Sequence, residues 1–438
     1  MPRDDAARAD TPFSRRLARL RRWPWGAISV VALLVLSAAW AIDPIRDAAT
    51  LGPVPEATLH RPAGYLLLAP ISDILDTLTL LSARQHVALL LTLIIGWLVW
   101  WWWRLPELDV AITPARRVVR VAARIGIALA TLVLIYLAAL VLPRPMAGLD
   151  TAGPDLIAID FHSHTKYSHD GRPDWTPEDV REWHRNAGFD VAYVSDHRTF
   201  EGAREGWANN PTTSGEATLL LPAIEVVWRG EHVNILDADR MYRGILDATL
   251  RDVDDAALRL ASMVPQNEPV LIETIPGDLT KTVPAKGNGT AGVRAIELVD
   301  GAPRGLSQGR QQRARIVALA DSANLALVAG SDHHGWGHTA SAWTLMLLRG
   351  WRADAPEDVS KLISTAIRAG GRGTTKVVER YVADTESGVA LPFTVPLVAW
   401  GMFRTLSLDE RVVWVAWIAA LSLLMYLRRM RLRRRGDH

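Results

Sequence analysis

The 438-residue chain contains no cysteine. Disulfides, thiolate metal ligands and a cysteine nucleophile are therefore excluded, and either side of a membrane is open to it. Net charge is nearly lacking too: 49 basic residues face 47 acidic ones, which leaves +2. The high isoelectric point is therefore no argument for a polyanionic partner. Residues 150–385 also lack a basic patch interleaved with aromatics, so nucleic acid is not expected as a partner. The first apolar run, 25–42, has no charge within it and no small-residue cleavage site after it. That favours an anchor over a removable signal.

What is present divides into two compositions. Residues 24–42, 86–103, 125–142 and 412–427 are nearly pure apolar runs, and about 18 to 20 such residues suffice to cross a bilayer as helix. Tryptophans at 23, 25 and 100–103 suit the interfacial belt. The positive charge lies beside these runs, in RRLARLRR (15–22), ARRVVRVAAR (115–124) and RRMRLRRRG (428–436). Four spans place every basic cluster on the cytoplasmic side. The expected order is a basic cytoplasmic N-terminus (1–23), three spans with their loops (24–142), and an extracytoplasmic domain (143–390). A juxtamembrane segment, the fourth span and a basic tail complete it (391–438). The chain thus reads as a multi-pass protein of a bacterial inner membrane with a periplasmic domain. Segments 65–81 and 391–403 are apolar but carry Asp73, Asp76 and prolines, and read as interfacial or packed against the bundle.

The soluble domain alternates β-rich runs with amphipathic stretches. LIAIDFHSHT, FDVAYVSDH, TLLLPAIEVVW, VNIL, PVLIETI, VRAIELV and LALVAGSD read as strands. PEDVREWHRNAG reads as a helix that begins at Pro177 and ends before Gly188. Such alternation predicts an α/β fold with a largely parallel sheet or barrel, and chemistry at the C-terminal strand ends.

Histidines and carboxylates collect at those ends. In IDFHSHTKYSHDG (159–171), His162 and His164 are two apart on a strand, so both face one side and can grip one ion. His197 ends VSDHR, beside Asp196, which can orient a ligand. Glu225 is a carboxylate inside the apolar run LPAIEVV, where burial demands a cation. His232 opens EHVNIL. Asp332 and His334 repeat the two-residue spacing in GSDHH, with His333 expected to point away and His338 to lie farther off.

The ordered set HSHT…SHDG, SDH, an apolar-flanked Glu, EHVNIL and GSDHH resembles the PHP family, the polymerase and histidinol phosphatase superfamily. The resemblance covers residues 155 to about 380. It implies a distorted (β/α)7 barrel, here inserted in a four-helix transmembrane anchor, holding two or three Mn, Fe or Zn ions. By position it implies His162, His164, Glu225 and Asp332 for one ion. Glu225 and His232 belong to a second, and His169, His197 and His334 to a third. Asp170 is an alternative to His169, since many relatives carry Asp there. The family's third strand ends in Ala-His-Pro, whereas VLIETIPGD places Ile275 at the histidine, so Glu273 or Glu297 is a substitute ligand or the second site is weak.

An all-nitrogen and oxygen ligand set suits these metals. The expected chemistry is hydrolysis of a phosphate ester by a metal-activated hydroxide. A histidine or Asp196 is a candidate for protonating the leaving oxygen. Arg198, Lys281 and Lys286 are candidates for holding phosphate, although surface charge explains them as well. The expected partner is a phosphorylated small molecule or an envelope or lipid phosphate. Two other readings stay open: a carboxyl-ester or carbamate hydrolase of the same fold, and a non-catalytic binding or sensor module.

Overall fold

In the computed structural model, which describes residues 25–104, 113–197, 199–228, 230–236, 270–274, 276–285, 292–386 and 388–436, helices and strands follow the hydropathy pattern closely. The chain opens with α1 (Trp25–Ala38), β1 (Ile45–Asp47), β2 (Ala57–His60), α2 (Ala63–Leu67) and α3 (Ala69–Thr79). The long helices α4 (Ala83–Arg104) and α5 (Pro114–Val141) lead to β3 (Gly148–Thr151) and β4 (Leu156–Ser163). Next come α6 (Pro177–Asn186), β5 (Val191–Val194), α7 (Glu201–Ala208), β6 (Leu219–Trp228), β7 (Glu231–Leu236) and β8 (Leu271–Glu273). β9 (Val293–Asp300), α8 (Pro303–Ala323), β10 (Ala326–Gly330), β11 (Ala342–Leu347), α9 (Pro356–Gly370) and β12 (Thr375–Arg380) complete the soluble part. α10 (Thr394–Thr405) and α11 (Leu408–Gly436) follow.

Among the described residues three helices, α4, α5 and α11, are long and apolar enough to cross a bilayer. Of the expected first span (24–42), the described helical part is α1, an apolar helix of 14 residues that begins at the first described residue. Its last turn meets a cation: the Arg411 guanidinium donates to the Leu34 carbonyl and, at 2.7 Å, to Ser37 Oγ. A buried arginine at this helix end marks a polar junction and not the middle of a hydrocarbon layer.

Segment 65–81 folds as α2 and α3, and its acids join the long helices to the soluble part. Tyr65 donates to both Asp73 and Asp76 at 3.0 Å. Arg144, just past α5, and Arg380, at the end of β12, each reach Asp76 at 2.5 Å. Trp414 of α11 donates to Asp73 at 2.8 Å.

Ten strands form one sheet in the order β1-β12-β11-β4-β5-β6-β7-β8-β9-β10, while β2 and β3 pair separately. The sheet curls until β10 packs against β4, β11 and β12. This is a distorted barrel, but a mixed one and not the largely parallel sheet expected. β4-β5-β6 and β8-β9-β10 are parallel, whereas β6-β7-β8 and β12-β11-β4 are antiparallel. The reason lies between Trp228 and Glu231. A parallel crossover needs a dozen or more residues, and the tight turn here, with Gly230 at φ +82°, permits only a hairpin.

Alternation sorts the strand residues into two layers. Ile157, Ile159, Phe161, Val191, Tyr193, Leu219, Leu221 and Val328 pack together with Val359, Ile363 and Ile367 of α9. Ala158, Ala192, Val194 and Leu220 pack instead under Val180 and Trp183 of α6. Each fully buried large side chain contributes roughly 1.5–3 kcal/mol. The α6 helix is set by a capping box, with Thr176 and Asp179 each accepting the other's backbone N–H, and by Gly188 at φ +81° after its end.

Candidate metal centre

The key local event is a bulge in β4. Its register on β5 shifts between Asp160 and Ser163. Ser163 then pairs with Val194, a residue of the α6-facing layer. The shift turns His162 and His164 toward the face that carried Phe161, which β6 extends to Glu225. A strand without the bulge would point both imidazoles away from Glu225.

The two rings meet: His162 Nε2 and His164 Nε2 are 3.1 Å apart. Glu225 Oε2 lies 3.1 Å from His162 Nε2 and 3.3 Å from His164 Nε2. Asp332 Oδ1 lies 3.4 and 3.3 Å from the same two nitrogens. His197 Nε2 is 3.3 Å from Glu225 Oε2, and His232 Nδ1 is 2.6 Å from Glu225 Oε1. Glu225 thus touches four imidazoles. His334 Nε2 lies 3.3 Å, and His197 Nε2 3.5 Å, from Asp170 Oδ2. Asp332 sits at φ +47°, a left-handed conformation rare outside glycine, so the loop carries strain at a residue of the cluster.

The donor chemistry fits divalent cations. Nitrogens and carboxylate oxygens converge in overlapping triads: His162–His164–Asp332, His164–His197–Glu225, His164–Asp170–His334 and His169–Asp170–His197. Two imidazole nitrogens face each other between carboxylates, and His164 Nδ1 is buried with no partner.

Burial opposes protonation of His162, but Glu225, Glu297 and Asp332 outweigh it and hold the imidazole well above its usual range. For His164 burial is likewise overcome, by hydrogen bonds to Asp332 and Glu225, and the ring is pushed up to about 10. Burial would raise Glu225 and Asp332, yet the neighbouring imidazoles hold both below the ordinary carboxylate value. His197 goes the other way, down to about 4, chiefly through burial. In cation-free form the cluster therefore stores positive charge as protons.

Other expected residues are placed differently. His169 is a largely exposed rim residue, with Nδ1 3.8 Å from Asp170 Oδ1, and Asp170 is the nearer group to His334. Asp196 does not reach the cavity. Both its oxygens accept from Thr165, from the backbone N–H and the hydroxyl, each at 2.6 Å, so it clamps the loop after β4. Of the two candidates for leaving-group acid, a histidine or Asp196, this placement removes Asp196. Glu273 is no substitute ligand: it pairs with Val233, on the pleat opposite to His232 and Asn234, and accepts from Thr282 at 3.1 Å. Arg198, Ile275 and Lys286 lie outside the described residues. His333 points away, as expected, and stacks on Trp183 at 4.1 Å between ring centroids.

Glu297, one of the two substitute ligands expected, does join the cluster, and two groups beside it, Asp300 and Asp160, are new. Glu297 Oε1 is 3.0 Å from His162 Nδ1, on the side remote from the other ligands. Asp300, fully buried, completes a further triad with His162 and Glu297. Both lie in the apolar run of β9, the same signal that marked Glu225. Gly330 makes room for them, since a Cβ there would lie 2.3 Å from Glu297 Oε1 and 2.5 Å from His162 Cβ. Asp160 accepts from the backbone N–H of His162 at 3.1 Å and of Ser331 at 2.8 Å. A cavity of about 540 Å³ opens over the cluster, and Lys281 and Arg304 lie on its wall.

No family model matches the sequence, and no curated protein does. Solved structures do. PsfC from Pseudomonas syringae matches over 57% of this chain and 98% of its own, at 16% identity and a TM-score of 0.35. A two-domain protein containing a predicted PHP-like metal-dependent phosphoesterase, from Bacteroides vulgatus, matches over 55% and 70%, at 12% identity and a TM-score of 0.33. Endonuclease Q in complex with a 27-mer duplex substrate with an abasic lesion matches over 48% and 57%, at 13% identity and a TM-score of 0.32. This last structure overturns the expectation that nucleic acid is excluded: a composition without an interleaved basic patch is not grounds for that exclusion.

Proposed function

We propose that the chain is a membrane-anchored, metal-dependent phosphoesterase whose site residues are His162, His164, Glu225, Asp332, His197, His232, Asp170 and His334, with His169 at the rim. The observation that carries this reading is Glu225, a buried carboxylate within 3.3 Å of four histidines brought from three separate stretches of chain. Overlapping donor triads that share His162, His164, His197 and Asp170 suit a cluster of two or three ions better than one. Bound divalent ions would supply Lewis acidity to phosphoryl oxygens and a nucleophile from water near neutral pH.

The chain's own groups do the rest. Asp160 and Glu297 orient the His162 backbone and ring. Asp196 holds Thr165, and with it the turn after His164. Lys281 and Arg304 offer cations on the cavity wall to the outer oxygens of a phosphate. His232 lies half exposed at the mouth, and its hydrogen bond to Glu225 raises its pKa.

The orientation proposed is extracytoplasmic. α5 runs from the basic stretch 115–124 toward the barrel, and α11 runs from the barrel to the basic tail, so both put positive charge on the side opposite the metal centre. The test is phosphate release from an aryl phosphate by the purified full chain with Mn²⁺, beside an aryl ester of the same leaving group and elemental analysis. Turnover of the phosphate with two or more ions per chain supports the reading. Preference for the carboxyl ester, or less than one ion per chain, sinks it.

A further inference from the structure

A second cavity, about 340 Å³, adjoins the metal centre and shares Asp332 and His334 with it. It runs toward the long helices. Its far wall is His86 of α4 with Tyr136, Ala139 and Leu140 of α5, the two helices whose apolar windows have the length to cross a bilayer. Leu78, Trp183, Pro303 and Trp336 add apolar surface beside Thr79, Thr339 and Ser341, and none of the described residues lining it is Lys or Arg. The metal loop rests directly on this wall: Gly337 donates its N–H to the Leu140 carbonyl at 2.9 Å, one residue before α5 ends. Two buried hydroxyls on this surface have no partner, Ser341 Oγ near the metal loop and Tyr136 on the helix wall. The Tyr136 ring lies 5.5 Å, centroid to centroid, from that of His86. Outside the cavity the same helices expose Val87, Leu91, Leu137 and Val141, so the apolar surface continues to where lipid tails would lie.

We infer that this cavity is a second subsite of the metal centre, which seats the apolar chain of a phosphoester drawn from the bilayer while its phosphate lies at Asp332 and His334. The inference rests on the phosphoesterase reading for its chemistry and on α4 and α5 as spans. The occupant follows from the wall. Aliphatic and aromatic side chains gain from a hydrocarbon chain and offer nothing to the phosphates of a polyanion. The Tyr136 hydroxyl suits an ester or hydroxyl oxygen between chain and phosphate, which would satisfy its unpaired hydrogen-bonding capacity.

The experiment uses the full chain in lipid nanodiscs with Mn²⁺ and a series of n-alkyl phosphates, butyl, hexyl and octyl. Each methylene seated in the cavity raises kcat/KM by up to about fourfold, so octyl exceeds butyl by roughly tenfold or more. Leu140→Trp fills the cavity and Trp336→Ala removes an exposed part of its wall. Both are expected to bring the octyl-to-butyl ratio to within about twofold. Because bilayer and substrates are common to all three proteins, partitioning into lipid cannot produce that change. A ratio near unity in the unaltered protein overturns the inference, as does a ratio that neither variant alters. So does turnover of an abasic duplex by a protein that treats butyl and octyl phosphate alike. Should no alkyl phosphate be hydrolysed, the phosphoesterase reading falls by itself. Equilibrium binding then decides the cavity: octyl over butyl phosphate, lost in both variants, upholds it, and equal binding rejects it.

Discussion

Asp160 and His184 are joined by a 2.7 Å hydrogen bond in the fully buried layer beneath the metal centre. The other oxygen of Asp160 accepts the N–H groups of His162 and Ser331, so one carboxylate ties α6 to the two strand ends that carry the site. Asp160→Ala leaves three buried donors without an acceptor and is expected to cost about 2–3 kcal/mol, read as a lower thermal midpoint. Asp160→Asn keeps an acceptor and the shape. Its expected signature is about tenfold weaker Mn²⁺ binding in a chelator competition, with a smaller loss of stability.

Glu225→Gln removes the charge shared by His162, His164, His197 and His232. Elemental analysis is expected to fall below one ion per chain, and phosphate release to drop by a hundredfold or more, beyond the roughly 10–100-fold typical of residues behind the ligands. Unchanged metal content would remove Glu225 from the centre.

Metal binding should release protons. His162 and His164 are held protonated well above neutrality in the cation-free cluster, His164 at about 10, whereas a ligand nitrogen must be neutral. Calorimetric titration with Mn²⁺ at pH 7 in buffers of different ionisation enthalpy is expected to show about two protons released, and affinity falling as pH falls. Proton uptake, or none exchanged, contradicts this assignment of charge.

Asp190 supplies a pH signature away from the metal. Burial pushes its carboxyl from 3.8 to about 6, and its acceptor role for the Ala158 N–H only partly opposes this. Between those values the unfolded chain has lost a proton that the folded chain keeps, so stability falls as pH rises from about 4 to 6. Asp190→Asn cannot ionise. Its thermal midpoint relative to the unaltered protein is expected to rise across that window and to stay level above pH 7.

Asp76 is expected to matter more for stability than any exposed charge. It sits between Arg144 and Arg380 at 2.5 Å each, nearly inaccessible to water. Asp76→Ala strands two buried guanidinium groups, an effect of about 3–5 kcal/mol. Loss of folded protein, with partial recovery in Asp76→Asn, is the expected outcome in a thermal scan.

Much of the site was legible from residue type and position. His162, His164, His197, Glu225, His232, Asp332 and His334 stand at strand ends, and a polar group at the end of an apolar run has few reasons to be there. The strand runs and α6 were readable because periodicity and caps are local. Glu297 was legible as a substitute ligand, whereas Asp300 carried the same signal as Glu225 but had no histidine beside it on β9 to make it conspicuous. Asp196 was misread because a carboxylate next to a histidine looks alike whether it faces an ion or a threonine hydroxyl.

Three matters were decided only in three dimensions. The β4 bulge sets which face His162 and His164 occupy, and a bulge depends on the partner strand as much as on the sequence that bends. The mixed sheet follows from a hairpin between β6 and β7, although the letters around it resemble any other strand. The end of α1 is fixed by Arg411, 377 residues after the Leu34 carbonyl it reaches. Residue chemistry is written along the chain, so sequence alone determined that this protein pairs apolar helices with a histidine and carboxylate cluster. Which atoms face one another depends on contacts between distant segments, and those exist only once the chain has packed.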